Sequence, residues 1–372
     1  VKKKARAALG LMAITGSLAA FAMPKGGSSA KLGFLFAVRN PDKTACSEDF
    51  CQGRFETRLL VIDGDKMRIA VQTPHLYIPR NSGFWEVGAL APKSPSNPQS
   101  GAGSEGGLGD IQPGSASSEF SWRLWAAPIG KRPTRPASSA EQDSSADESA
   151  SDIRRIELDW VGTDYLSFVE QIGEYTETHA ILSIEEVARN AFDQLWKPAV
   201  PEAVYKKDLD GCVDEGSDFN TRTFLEGAEQ GWSITRGRLR WEFNWAFGYS
   251  SGAARGYGTG CSTSLRPPKE LVGSDALGVG WNQVLSQVPD ALTAYSSPDH
   301  SIVLVLTSGQ VLALKHEGDA LGAPFARVFL SSSEVVSAQW AVGKYADAWS
   351  EQLSLAKSWT EKDKAVTSTS HQ

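Results

Sequence analysis

The stretch from Leu239 to Tyr249 limits the possible folds more than any other. Leu239, Trp241, Phe243, Trp245, Phe247 and Tyr249 occupy its odd positions, and Arg240, Glu242, Asn244, Ala246 and Gly248 its even ones. This period-2 alternation is the mark of a β-strand with one buried face. Five of the six odd residues are aromatic, and burying each such side chain is worth roughly 1.5–3 kcal/mol. That face must therefore meet a second sheet or a helix.

The same signal recurs along the chain. Strands are expected at Leu32–Val38, Phe55–Ile62, Lys66–Val71, Leu76–Pro79 and Phe84–Val87. Asp63-Gly64 marks the hairpin between the second and third. Further strands are expected at Phe120–Ile129, Ile153–Val161, Tyr165–Ile172, Thr176–Leu182, Trp232–Thr235 and Ser262–Leu265, then at Ile302–Leu306, Val311–Leu314, Phe325–Leu330 and Val335–Trp340. Helical signals are fewer. Ser183 and Glu186 form a capping box, and Ile184, Val187, Ala188, Ala191, Phe192 and Leu195 share one helical face. Residues 202–209 suggest a short helix, Val279–Val288 an amphipathic turn and helix, and Tyr345–Trp359 a terminal helix. The fold class is thus mainly β (α+β): antiparallel meander sheets with two to four short helices. Blade-sized segments at Leu32–Val87, Phe120–Leu182, Trp232–Leu265 and Ala294–Trp340 suggest a propeller-like arrangement, although no repeated signature joins them.

Composition divides the chain. Residues 1–22 read as a secretory signal peptide. Lys2, Lys3, Lys4 and Arg6 form its basic region, Ala7–Ala20 its apolar region and Ala20-Phe21-Ala22 its cleavage site. Residues 23–87 form an N-terminal meander. Residues 88–118 and 130–151, rich in Gly, Ser, Ala and Pro or in Ser, Asp and Glu, read as disordered inserts around one strand at 119–129. Residues 152–273 are a central α+β region, 274–360 a C-terminal sheet with its helix, and 361–372 a disordered tail. The strand between the inserts is expected to pair with the N-terminal meander.

The formal charge is −7, and loss of the four leader cations makes it −11. Phosphate backbones repel such a surface, so nucleic acid is not the expected partner. No later stretch reaches a transmembrane length. Four cysteines in an exported chain imply two disulfides. Cys46 with Cys51 and Cys212 with Cys261 pair residues of one segment each; two other pairings remain open. In the loop-entropy model the short loop is worth roughly 2 kcal/mol and the long one roughly 4.

Catalytic signatures are weak. No two histidines stand at metal-ligand spacing, so neither a metal nor any other cofactor is expected. Gly256-Tyr257-Gly258-Thr259-Gly260 follows a strand, yet no helix begins after it and no Gly-Lys-Ser/Thr occurs. Asp159 and Asp164 flank Trp160, and Glu242 adjoins Trp241. Such neighbours suit a sugar site, and they equally suit a solvated strand face beside a core tryptophan. His179, at a strand end, reads first as a hydrogen-bonded structural residue and second as a binding or proton-transfer group.

Residues 163–273 resemble the extracytoplasmic domain of RsiV-type anti-sigma factors, which also stands beside some peptidoglycan deacetylase domains. Asp164-Tyr165-Leu166-Ser167 resembles the opening strand of that family. Tyr175 and His179-Ala180 stand where its Tyr and its Ala-His-Gly turn stand. Residues 183–196 match its helix, 231–258 its later strand and glycine-rich loop, and 267–272 its closing segment. The resemblance implies an α+β envelope domain that binds a glycan or a wall-associated protein. His179, Tyr175, Asp164 and Tyr257 are then the candidate binding residues, with no catalytic residue named. The expectation is a periplasmic or extracellular bacterial protein that binds or scaffolds in the cell envelope. The alternatives are a wall-glycan hydrolase or esterase and an envelope stress sensor.

Overall fold

In this computed structural model the described residues are 31–47, 50–90, 123–131, 154–172, 176–189, 195–196, 229–251, 254–256, 261–263, 265–273, 275–330 and 334–369. They form five antiparallel sheets. Sheet one joins β1 (Leu32–Ser47), β2 (Phe50–Asp63) and β3 (Lys66–Thr73) to the last strand, β18 (Glu334–Val342), in the order β18-β1-β2-β3. Gly64 turns the β2–β3 hairpin at φ +58°, a value glycine adopts without a Cβ clash, and Asp63 faces Lys66 across it. Sheet two holds β4 (Leu76–Arg80), β5 (Gly83–Leu90) and β6 (Arg123–Pro128). Sheet three holds β7 (Arg154–Val161), β8 (Tyr165–Ile172) and β9 (Thr176–Ser183), and runs into α1 (Ile184–Arg189).

Sheet four is built on β10 (Glu229–Arg236) and β11 (Trp241–Ser251), with the short strands β12 (Ala254–Gly256) and β13 (Cys261–Ser262) both pairing β11. Two short helices, α2 (Lys269–Val272) and α3 (Trp281–Gln287), precede sheet five. That sheet runs β14 (Thr293–Ser296), β15 (Ile302–Leu306), β16 (Gln310–Glu317) and β17 (Ala320–Phe329) in chain order. Helix α4 (Lys344–Thr369) follows β18.

Stacking of the sheets explains why some strands alternate and others do not. In sheet one, Phe34, Phe36, Leu60 and Ile62 pack into one core with Ile302, Leu304 and Leu306 of sheet five and with Trp232, Trp241 and Phe243 of sheet four. The opposite face, with Leu35, Leu59 and Val61, meets Tyr77 and Phe84 of sheet two and Leu353 and Ala356 of α4. Leu76, Ile78 and Val87 of sheet two pack on Leu158, Leu166 and Leu182 of sheet three, and Ile184 and Val187 of α1 seal that core. Val303, Val305 and Leu314 of sheet five face Val284 and Val288 at α3. Strands β1 and β15 thus bury both faces and read as continuous apolar runs, whereas β3 shows one face to water.

Among the described residues the antiparallel meander sheets and four helices are as expected: sheets succeed one another along the chain, and the last strand, β18, pairs the first, β1. The segment boundaries differ from those expected. The 23–87 meander splits between sheets one and two. The strand at 119–129 joins β5, from Trp85↔Pro128 to Leu90↔Arg123. Strand β5 also continues to Leu90, past the expected start of an insert at 88, because Gly88 lies under the Trp125 indole. A Cβ there would stand 2.5 Å from Trp125 Nε1. Strand β18 leaves the C-terminal sheet to pair β1. The edge of β1 is among the most apolar in the molecule and needs a buried partner, whereas β17 carries Pro324 and mostly exposed side chains, as an outer strand can.

Smaller differences have local causes. Helix α4 extends to Thr369 through the expected tail at 361–372, since Glu361, Lys362, Lys364 and Ala365 are good helix formers. Leu239 is exposed, because β11 begins two residues later and Leu239 lies in the turn. Ala188 and Leu195 are exposed rather than core-facing. The capping box is present: Ser183 Oγ accepts from Glu186 N–H at 3.1 Å, and Glu186 Oε2 accepts from Ser183 N–H at 3.3 Å. Residues 1–22 and the expected helix at 202–209 lie outside the described residues. Among the described residues no helix is long and apolar enough to cross a membrane.

Candidate functional site

Two of the four candidate binding residues, His179 and Asp164, are described, and the sheet-three register keeps them apart. Tyr165 faces Ser183 and Val169 faces His179 across β8 and β9. Asp164 therefore lies at one end of the hairpin, and His179 is four residues along β9 from Ser183, about 13 Å at strand rise. His179 Nδ1 stands 3.0 Å from Ser233 Oγ, and Ser233 is 1% exposed. This contact ties sheet three to sheet four, as does the bond from Ile234 N–H to Ser167 Oγ at 3.0 Å. The crossing is close because Gly231 has no side chain; a Cβ there would stand 2.3 Å from the His179 carbonyl oxygen.

Asp164 is exposed at the β7–β8 turn. It accepts from Arg80 Nη2 at 3.3 Å, and the same nitrogen reaches Glu185 at 2.9 Å. Its backbone carbonyl accepts from Ile184 N–H at 2.8 Å. The Arg80 guanidinium also lies 4.6 Å over the Trp85 ring. Tyr175 and Tyr257 lie outside the described residues, as does Cys212. Cys46 and Cys51 face each other in the β1–β2 register, and Cys261 faces Trp245 in sheet four.

Other motifs resolve into architecture. Trp160 and Trp241 meet edge to face at 6.2 Å, each 2% exposed, so they are core and offer no sugar-stacking face. Glu242 lies against Gly237 and within 3.8 Å of Arg240 Nε. The pentapeptide at 248–252, Gly-Tyr-Ser-Ser-Gly, has the spelling of a nucleophile elbow. An elbow needs a strand, a sharp turn and a helix. Here Tyr249–Ser251 pair with Ala254–Gly256 as an antiparallel hairpin, so the motif lacks its context. The same pairing places Gly256 of the glycine-rich run in a short strand. Among the described residues no group of three His, Cys, Asp or Glu side chains is placed to hold a metal ion.

Several cations bridge sheets. Arg39 of β1 reaches Glu157 of β7 at 2.8 Å and Glu334 of β18. Burial lowers its pKa, but the bond and charge of Glu334, with Glu157 and Asp159 behind it, more than restore it, and the net shift is upward. Arg58 of β2 bonds Glu56 and the Phe329 carbonyl of β17. Arg236 of β10 is the most enclosed, with its side chain 5% exposed. Its Nε donates to Thr293 Oγ1 at 3.0 Å and its Nη2 to the Ala294 carbonyl, while its Cζ lies 4.0 Å over the Tyr295 ring. Asp275 stands 3.7 Å away and accepts from Trp241 N–H at 2.6 Å. Burial holds the guanidinium below its ordinary pKa, with Tyr295, Asp275 and Glu242 opposing. It also pushes the Tyr295 phenol up to about 12, against the pull of Arg236.

One open pocket of about 340 Å³ lies where the β2–β3 turn meets β16 and β17. Asp65, Lys315, Glu317 and Phe325 line it, together with small residues of β17. Lys315 Nζ donates to Asp65 Oδ1 at 2.5 Å and lies 5.8 Å from the Phe325 ring centroid. The Asp65 hydrogen bond and then its charge raise the Lys315 pKa. Sequence reasoning missed these residues because Asp65 and Lys315 come from opposite ends of the chain. The local hint was limited to a polar turn residue after Asp63-Gly64 and two outward charges, Lys315 and Glu317, on one strand phase. The chain matches no protein-family model and no curated protein.

Proposed function

We propose that the chain is an exported cell-envelope protein of the periplasm or cell exterior that binds or scaffolds and does not catalyse. Its ligand is a cell-wall glycan or another envelope protein, and its cysteines are bonded in two pairs. The observation that carries this reading is the use made of the ionic side chains. Arg39, Arg58, Arg80 and Arg236 each run from one sheet to a neighbouring sheet or its helix and bond a carboxylate or carbonyl there. Charges placed this way hold sheets in fixed relation, which is what a rigid platform for a large ligand requires. The basic, apolar and small-residue order of residues 1–22 supports export. The resemblance of residues 163–273 supports a wall-associated ligand.

The test is retention of the full chain on purified peptidoglycan, with soluble products assayed in the same tube. Retention without product is expected. Release of sugar or acetate would replace this reading with a hydrolase or esterase, and failure to bind would remove the wall ligand.

A further inference from the structure

We propose that the pocket between the β2–β3 turn and strands β16 and β17 binds one neutral sugar ring, stacked on Phe325 and hydrogen-bonded by Lys315, Asp65 and Glu317. This rests on the reading of the chain as an envelope binder and names the surface that makes the contact.

Size is the first argument. A space of about 340 Å³ is at the small end for a ligand site and suits a single ring. Gly322 and Ala323 help keep it open, since neither projects more than a methyl group. Rigidity is the second. Phe325 is half-buried and packs against the core shared by sheets one and five, so its ring is held before any ligand arrives and little entropy is lost on binding.

Charge selects the ligand. The pocket holds one ammonium against two carboxylates. A phosphate, sulfate or uronate would face the pair of like charges formed by Asp65 and Glu317. An amine would meet the like charge of Lys315, which Asp65 holds at 2.5 Å and which the Glu317 carboxylate also faces. A neutral polyol avoids both conflicts. An ammonium carries three N–H donors, of which Asp65 engages one, and each carboxylate carries several acceptor positions. Sugar hydroxyls can accept from the first and donate to the second with the Lys315–Asp65 pair intact. The C–H face of the ring then covers Phe325. The polar partners are accessible, since the Lys315 side chain is 45% exposed and that of Asp65 68%.

The experiment uses the full chain and a β-1,4-linked tetramer of N-acetylglucosamine, with its deacetylated cationic form and inorganic phosphate as competitors. Affinity is read by calorimetry and ring contact by saturation-transfer NMR. The neutral tetramer should bind. Lys315→Met and Asp65→Asn, both at exposed positions, should each weaken it about tenfold or more at an unchanged melting temperature. Phe325→Leu should abolish the saturation transfer to the ring protons. Equal affinity in all three variants, no binding of the neutral tetramer, or displacement by phosphate or the cationic form would each overturn the site. The peptidoglycan assay separates the two readings. Wild type and variants retained equally would leave the envelope reading standing without this pocket. Tetramer binding with no retention would leave the pocket standing without the envelope reading.

Discussion

Sheet five meets sheet four at an enclosed cation, Arg236, and meets sheet one at an exposed one, Lys315, in addition to the buried Arg58 bond to the Phe329 carbonyl; the enclosed and the exposed contact behave oppositely. On the side of sheet four, Arg236 is enclosed between Tyr295 and Trp241, and Asp275 and two oxygens of β14 meet its nitrogens. On the side of sheet one, Lys315 meets Asp65 over an open pocket, with both side chains largely in water. The chemistry is nearly the same, and the difference is solvent. Removing water raises what a charge loses when its partner goes, whereas an exposed pair is worth little by itself. The first junction is committed to the fold, and the second is at liberty to meet a ligand.

The largest expected effect is at the enclosed junction. Arg236→Ala should destabilise the protein by about 3–5 kcal/mol, because it leaves Asp275 without its cation and opens a void beside Tyr295. Arg236→Met, which restores apolar volume, should recover part of that loss. Denaturant unfolding measures both, and a loss under 1 kcal/mol for the alanine variant would erase the contrast.

Next is the neighbouring crossing of sheets three and four. Gly231→Ala should cost about 1–3 kcal/mol, since the new methyl group meets the His179 carbonyl and must part β10 from β9. A melt indistinguishable from that of the parent would show that this crossing is looser than its geometry.

A smaller effect depends on pH. Burial raises the Asp299 pKa, but the Ser297 hydroxyl and the backbone N–H and hydroxyl of Ser301 outweigh it and hold the carboxyl below its ordinary value. A carboxyl lowered in the folded state adds stability above its unfolded pKa of about 4, and that stability is lost as pH falls through the folded value. Asp299→Asn should therefore lower the melting temperature at pH 6 and converge with the parent at acid pH. A constant gap from pH 6 to about pH 2 would contradict the assignment.

The smallest effect is at the exposed junction. Lys315→Met should leave the melting temperature essentially unchanged, since an exposed pair adds little to stability. A melting temperature lowered as far as that of Arg236→Ala would mean that both junctions are structural.

Much of the fold was legible because its signals are local. Alternation marked β11 and β3, Asp63-Gly64 marked a hairpin, and Ser183 with Glu186 marked a helix start; each depends on residues within a few positions. The candidate binding residues were placed less well. His179 and Asp164 share a hairpin but stand at different points along it, and each is engaged by a neighbouring sheet that no local pattern announces. The pocket was out of reach for the same reason, since its walls come from a turn near residue 64 and strands near residue 320.

The sequence by itself determined that the chain makes antiparallel sheets with defined inward faces, because the side-chain period of a strand is fixed by backbone geometry whatever surrounds it. Only the tertiary structure decided which sheets touch: that β18 returns to β1, that Trp160 and Trp241 are core and that Lys315 meets Asp65. Apolar burial is non-directional, so a greasy face announces that it needs cover without naming the face that will provide it.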